Sequence, residues 1–148
     1  MTLTDHIEID PSVMTGKPVI LGTRIPLELI FRKLDEGSTE SDLLAAYPRL
    51  TAEDLGAATA LLDTCRRFDV ARLAVFGSAL RQDFQPGSDI DLLVDFKPKA
   101  RTGLLTLARL HRELERLFQR RVDLVPRGSV KQSLRQAIED HAKVLYAA

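Results

Sequence analysis

The stretch "VFGSALRQDFQPGSDIDLLVDF", residues 75–96, decides how the chain is read. One apolar run ends in Gly77-Ser78, and a second begins with Asp89 and Asp91, separated only by Ile90. Residues two apart on a strand point to one face. Asp89 and Asp91 are therefore expected to project together, with Ile90, Leu92 and Val94 turned to a core. Two carboxylates ~5 Å apart repel by on the order of several kcal/mol at an effective dielectric of roughly 20. A chain keeps such a pair where a cation sits between the acids or where one is protonated. Hard carboxylate oxygens on one strand suit Mg²⁺. Asp123 stands in a third apolar run, "RVDLVP" (121–126). If that strand neighbours the second, Asp89, Asp91 and Asp123 can hold two Mg²⁺ ions, which bind both the attacking and leaving oxygens of a phosphoryl transfer.

The Gly-Ser pair fits the same chemistry. Gly77 ends a strand without a side chain, so backbone can approach a phosphate closely. Ser78 offers a hydroxyl and an N–H at the start of a helical turn, where anions bind. Arg81 lies one turn on, within reach of a phosphate oxygen. A nucleoside triphosphate is thus expected at Gly77, Ser78 and Arg81, metals at Asp89 and Asp91, and an activated nucleophile near Asp123. The plain alternative makes Gly77 a turn, Ser78 a cap and the acids an exposed strand edge. Apolar neighbours on both sides of Asp91 and Asp123, and after Asp89, count against it.

Outward from this stretch, strand and helix alternate. "ARLAVFG" (71–77), "DIDLLVDF" (89–96) and "RVDLVP" read as strands. Between the last two, Leu104, Leu107, Leu110, Leu114 and Leu117 share one helical face. Ser129 and Gln132 stand at capping-box spacing, and Val130, Leu134, Ile138, Ala142 and Leu145 recur at helical intervals, predicting a final helix to the end of the chain. A small sheet backed by helices follows.

The first part reads differently. "HIEID" (6–10) alternates like a strand, and Gly16, Pro18, Gly22 and Pro26 punctuate short extended pieces. Pro26 suits the first turn of a helix that Gly37 closes. A second helix is expected over Glu40–Tyr47. A third starts at Thr51, with Asp54 in capping-box position, and runs through Phe68 with Gly56 as a weak point. Helix, tight turn, helix is a helix-turn-helix-like order. The fold class is therefore α+β, with a mostly helical module at 1–60 and an αβ domain at 61–148. No linker separates them, so one helix is expected to end the first and begin the second.

Charge supports two modules. Residues 1–64 carry five basic and eleven acidic side chains; the remainder carries sixteen basic and ten acidic. An acidic helix-turn-helix meets phosphates poorly, so DNA binding through it is expected to be weak. The chain is 45% hydrophobic, enough for a packed core. One cysteine, Cys65, excludes an internal disulfide framework and reads as a buried thiol. His6, His111 and His141 lack metal spacing. No apolar run approaches ~20 residues and the acidic N-terminus has no signal-peptide core, so a cytoplasmic protein with no membrane span is expected.

Two resemblances join these readings. "IEIDPSVMTGKPVILGTRIPLELI" with "LDEGSTESDLLAAYPRLTAEDL", residues 7–30 and 34–55, resembles an uncharacterised helix-turn-helix-type domain associated with bacterial antitoxins. That implies a helical module with a hairpin-like N-terminus, forming a homo-oligomer and holding no catalytic residue. "GSALRQDFQPGSDID" with the later "VDLV" resembles the polymerase-β-type minimal nucleotidyltransferases. This implies Gly77 and Ser78 as the nucleotide-phosphate site, Asp89 and Asp91 as metal ligands and Asp123 as the third acid. Gln82 departs from the glycine common after the arginine. Such proteins are commonly antitoxins that move AMP from ATP to a hydroxyl, typically of tyrosine, on a HEPN-type ribonuclease toxin. The other function left open is an antitoxin that neutralises by binding alone and represses its operon.

Overall fold

Local signals near the N-terminus fold as short pieces. The computed structural model describes residues 3–77 and 88–148. Strands β1 (Ile7–Glu8) and β2 (Val19–Ile20) pair antiparallel, with Ile7 opposite Ile20. Helix α1 (Leu27–Asp35) follows, with Pro26 one residue further out than a first-turn position, at the N-cap. Gly37 closes the turn at φ +97°, a value that a Cβ disfavours. Helices α2 (Glu40–Ala46) and α3 (Ala52–Arg67) each begin with a complete capping box. Thr39 and Thr51 accept from the N–H groups of Asp42 and Asp54 at 3.1 Å, and those aspartates accept from the threonine N–H groups in return. Each threonine cap contributes roughly 1 kcal/mol.

Helix α3 is continuous through Gly56 and leads directly into the sheet. Strands β3 (Val70–Phe76), β4 (Ile90–Phe96), β5 (Val122–Pro126) and β6 (Lys143–Ala147) form one sheet in the order β5-β4-β3-β6. Only β4 and β5 are parallel, and α4 (Leu104–Phe118) provides the crossover between them. Ile90, Leu92 and Val94 are fully buried, as alternation predicts, against a core shared with Leu61, Leu62 and Cys65 of α3 and Leu110 and Leu114 of α4. Burial pushes the Cys65 thiol up to about 12, so it is an inert core group. On the opposite sheet face Leu93 lines a small cleft together with Ile138 of α5 (Gln132–His141).

Three expectations are corrected. The final helix stops at His141, and Lys143–Ala147 is strand β6, paired with β3. Leu145 recurs at helical spacing, but the "KVLYA" segment gains more by completing the sheet edge and burying Leu145 and Tyr146. Ser129 is not the cap of α5; its hydroxyl donates to the Pro126 carbonyl in a separate 3₁₀ turn, and Lys131 holds the N-cap without a side-chain bond. Leu104 is 87% exposed, because α4 turns inward only from Leu107 on.

One hydrophobic cluster runs from Ile7 and Ile20 through α1 and α3 to Leu145. Phe31 of α1 meets Tyr146 of β6 edge to face, with ring centroids 6.0 Å apart. Arg66 donates to Asp35 across the same seam. Gly16 lies against β6, where an added Cβ would stand 3.2 Å from Lys143 Cε. The first module is therefore packed on the sheet edge rather than tethered to it.

Candidate active site

The end of β3 and the start of β4 meet the start of β5 at one end of the sheet. Asp91 is the register partner of Phe76 on one side and of Asp123 on the other. Register partners present their side chains to the same face, on strands ~4.8 Å apart. Asp91 is half-buried, whereas Asp123 is exposed at the edge. Asp89 precedes β4 by one residue and is exposed. The expected neighbourhood of second and third strands is thus found, and the backbone brings Asp91 and Asp123 side by side.

Gly77 follows Phe76 at φ +69°. A Cβ there would press into the Asp91 carboxylate, 3.1 Å from its Cγ and closer still to Oδ2. Gly77 thus leaves room for a carboxylate as well as for a close backbone approach. The chain alone could not reveal this second role, because it depends on which residue lies across the strand pair. Ser78 and Arg81 lie outside the described residues.

The donor set is what a hard divalent cation requires: carboxylate oxygens from adjacent strands, one beside a position where no side chain intrudes. Among the described residues, no three His, Cys, Asp or Glu side chains converge closely enough to enclose a metal. The backbone register suits Mg²⁺, while the side chains as placed do not surround it. Asp89, Asp91 and Asp123 are the residues that would hold it. A cavity of about 430 Å³ lies elsewhere, between the N-terminal segment at Leu3–Ile7, Leu61 of α3 and the end of α4.

His6 and His111 have partners of their own. His6 Nδ1 lies 2.9 Å from Asp54 Oδ1. In α5, Arg135 donates through Nε to the Val130 carbonyl at 3.0 Å and through Nη2 to the Gly128 carbonyl at 3.2 Å.

The family model described as a nucleotidyltransferase domain matches residues 58–145, from α3 to β6. This chain belongs to that family. The nucleotidyltransferase also matches, over residues 7–61, a family described as protein of unknown function DUF433. The two matches meet on α3, the helix shared by both parts. The protein adenylyltransferase MntA of Thermococcus cleftensis is 39% identical over 72 residues, covering 49% of this chain and 71% of that protein. A solved structure described as that of a "putative minimal nucleotidyltransferase" is 37% identical, with a TM-score of 0.50, over 64% of this chain and 95% of its own. A chain from a toxin–antitoxin complex with AMP-PNP has a TM-score of 0.50 at 22% identity, over 61% of this chain and 73% of its own, a likeness of fold. The enzyme class is thus nucleotidyl transfer, on a mixed α+β fold.

Proposed function

We propose that this nucleotidyltransferase is an antitoxin that moves AMP from ATP to a hydroxyl, tyrosine being the expected acceptor, on a HEPN-type toxin. The observation that carries the reading is the register of Asp91 with Asp123 beside Gly77. The likeness to a protein adenylyltransferase supports the AMP group. In the transfer, the acceptor hydroxyl oxygen bonds to the α-phosphorus of ATP. The bond from that phosphorus to the β-bridging oxygen breaks and pyrophosphate leaves. The hydroxyl proton passes to a carboxylate oxygen, assigned here to Asp123. Two Mg²⁺ ions, when bound, neutralise the triphosphate and leaving-group charge. Asp89 and Asp91 would be their principal ligands, with Asp123 as third. Gly77, Ser78 and Arg81 hold the phosphates in this reading.

The finer organisation belongs to the same proposal. Residues 1–60 form a helix-turn-helix-like module that mediates homo-oligomerisation and binds DNA weakly. The excess of acidic side chains in residues 1–64 supports the weak affinity. Residues 61–148 form the catalytic domain, acting in the cytoplasm.

The competing function is neutralisation by binding alone. It draws on the lack of a converged three-acid cluster among the described residues. Incubation with α-labelled ATP, Mg²⁺ and the product of the adjacent gene, followed by intact mass, separates the two. Addition of AMP units to that product is the expected result. A stable complex without added mass favours binding alone.

A further inference from the structure

Strand β5 lies at an edge of the sheet, yet the backbone of its first residue is not left open. The Arg121 carbonyl accepts from the Ile90 N–H at 2.9 Å, so Arg121 faces β4. Backbone groups of successive strand residues point to opposite edges, which turns the N–H and C=O of Val122 outward. Two side chains of α4 meet them there. The Val122 N–H donates to Glu115 Oε2 at 3.0 Å. His111 Nε2 lies 2.6 Å from the Val122 carbonyl oxygen. A carbonyl only accepts, so that ring nitrogen carries the proton and donates. His111 and Glu115 sit one turn apart, with Nε2 and Oε2 separated by 3.7 Å. The pair therefore grips both polar groups of one peptide residue. The next residue is Asp123, the register partner of Asp91.

We propose that His111 and Glu115 are positioning residues for Asp123, acting through the backbone of Val122 to hold its carboxylate in register with Asp91. The inference rests on the reading of the acids as a metal site. An edge strand held by only one neighbour slides and frays more readily than a central one. A displacement of Asp123 along the strand separates it from Asp91. The helix α4 thus acts as a clasp on the acid cluster as well as a crossover. Neither residue touches the reacting atoms.

Mn²⁺ titration of the nucleotide-free full chain, followed by electron paramagnetic resonance, tests this without a partner. Glu115→Ala and His111→Ala are each expected to weaken Mn²⁺ binding about tenfold, the scale of outer-sphere supports at metal sites. Glu115→Gln keeps an acceptor oxygen for the Val122 N–H and is expected to bind within about threefold of the parent. In an Asp123→Asn background, Glu115→Ala is expected to add nothing, because it acts through Asp123. A full additional loss in that background, or a Gln variant as weak as the Ala variant, overturns the proposal. A parent that binds no Mn²⁺ overturns the metal-site reading and the inference with it. A parent that binds while Glu115→Ala binds equally well overturns the inference alone. Should the alanine variants melt below the assay temperature, the Gln variant and the Asp123→Asn comparison with it decide the outcome.

Discussion

Asp91 lies against Gly77, so that no side chain can stand at residue 77 without displacing the carboxylate. The contact joins the end of β3 to the start of β4 and makes two motif positions one unit. Gly77→Ala adds a clash to a left-handed backbone. The backbone alone costs roughly 1 kcal/mol. The clash falls on the end of a side chain, which moves more readily than backbone. The expected outcome is a small drop in melting temperature with a large loss of nucleotide transfer, about 10²-fold. Differential scanning fluorimetry beside a transfer assay checks it; full activity in the alanine variant would falsify the unit.

The acids themselves divide chemistry from stability. Asp89→Ala and Asp91→Ala are expected to lower turnover by ~10³-fold or more, since positioning and electrostatics supply most of the catalysis in this reaction class. Asp123→Ala is expected to be comparably damaging. Removing one of several neighbouring negative charges leaves the metal-free melting temperature unchanged or raises it. Transfer rates set beside melting curves with and without Mg²⁺ test this. Variants that transfer at the parental rate return the acids to an ordinary strand edge.

The seam between the two parts predicts joint unfolding. Phe31 is 6% exposed and packs edge to face on Tyr146. Phe31→Ala is expected to cost about 3–5 kcal/mol, and the whole chain to melt in one transition because the core is shared. Calorimetry showing two separate transitions, or a Phe31→Ala change confined to part of the signal, speaks against a single cooperative unit.

Acid sensitivity is expected at Asp54. Burial is the strongest single influence on this carboxyl and raises its pKa, but hydrogen bonds from His6 and Thr51, with the His6 charge, together outweigh it and hold the group below 3.8. A depressed folded value stabilises the protein above the unfolded value of about 3.9. That contribution is lost as pH falls through the folded value. Between about pH 5 and pH 2, the melting temperature of Asp54→Asn is expected to fall less steeply than that of the parent. Parallel curves over that window count against the assignment.

DNA affinity is the fifth expectation. With eleven acidic and five basic side chains in residues 1–64, the isolated protein is expected to bind its operator weakly, and more weakly still as salt rises. A nanomolar complex at physiological ionic strength in a mobility-shift titration contradicts it.

Much of this was legible in the residues. Ile90, Leu92 and Val94 recur at period two, with Asp89 and Asp91 on either side of Ile90, and that period is a local property that needs no partner to be read. The capping boxes at Thr39 and Thr51 are equally local, because each closes within four residues. The shared helix α3 could be expected from the missing linker. The last segment could not. Ala142 and Leu145 continue an apolar spacing that also suits a helix, and the choice of strand was made by the open edge of β3 and by the contact of Phe31 with Tyr146. The grouping of the site had the same origin. The sequence determined which residues are acidic and which strands carry them. Only tertiary structure decided that Asp91 lies opposite Asp123 and against Gly77, because strand register is set by pairing across the sheet and not by neighbours along the chain.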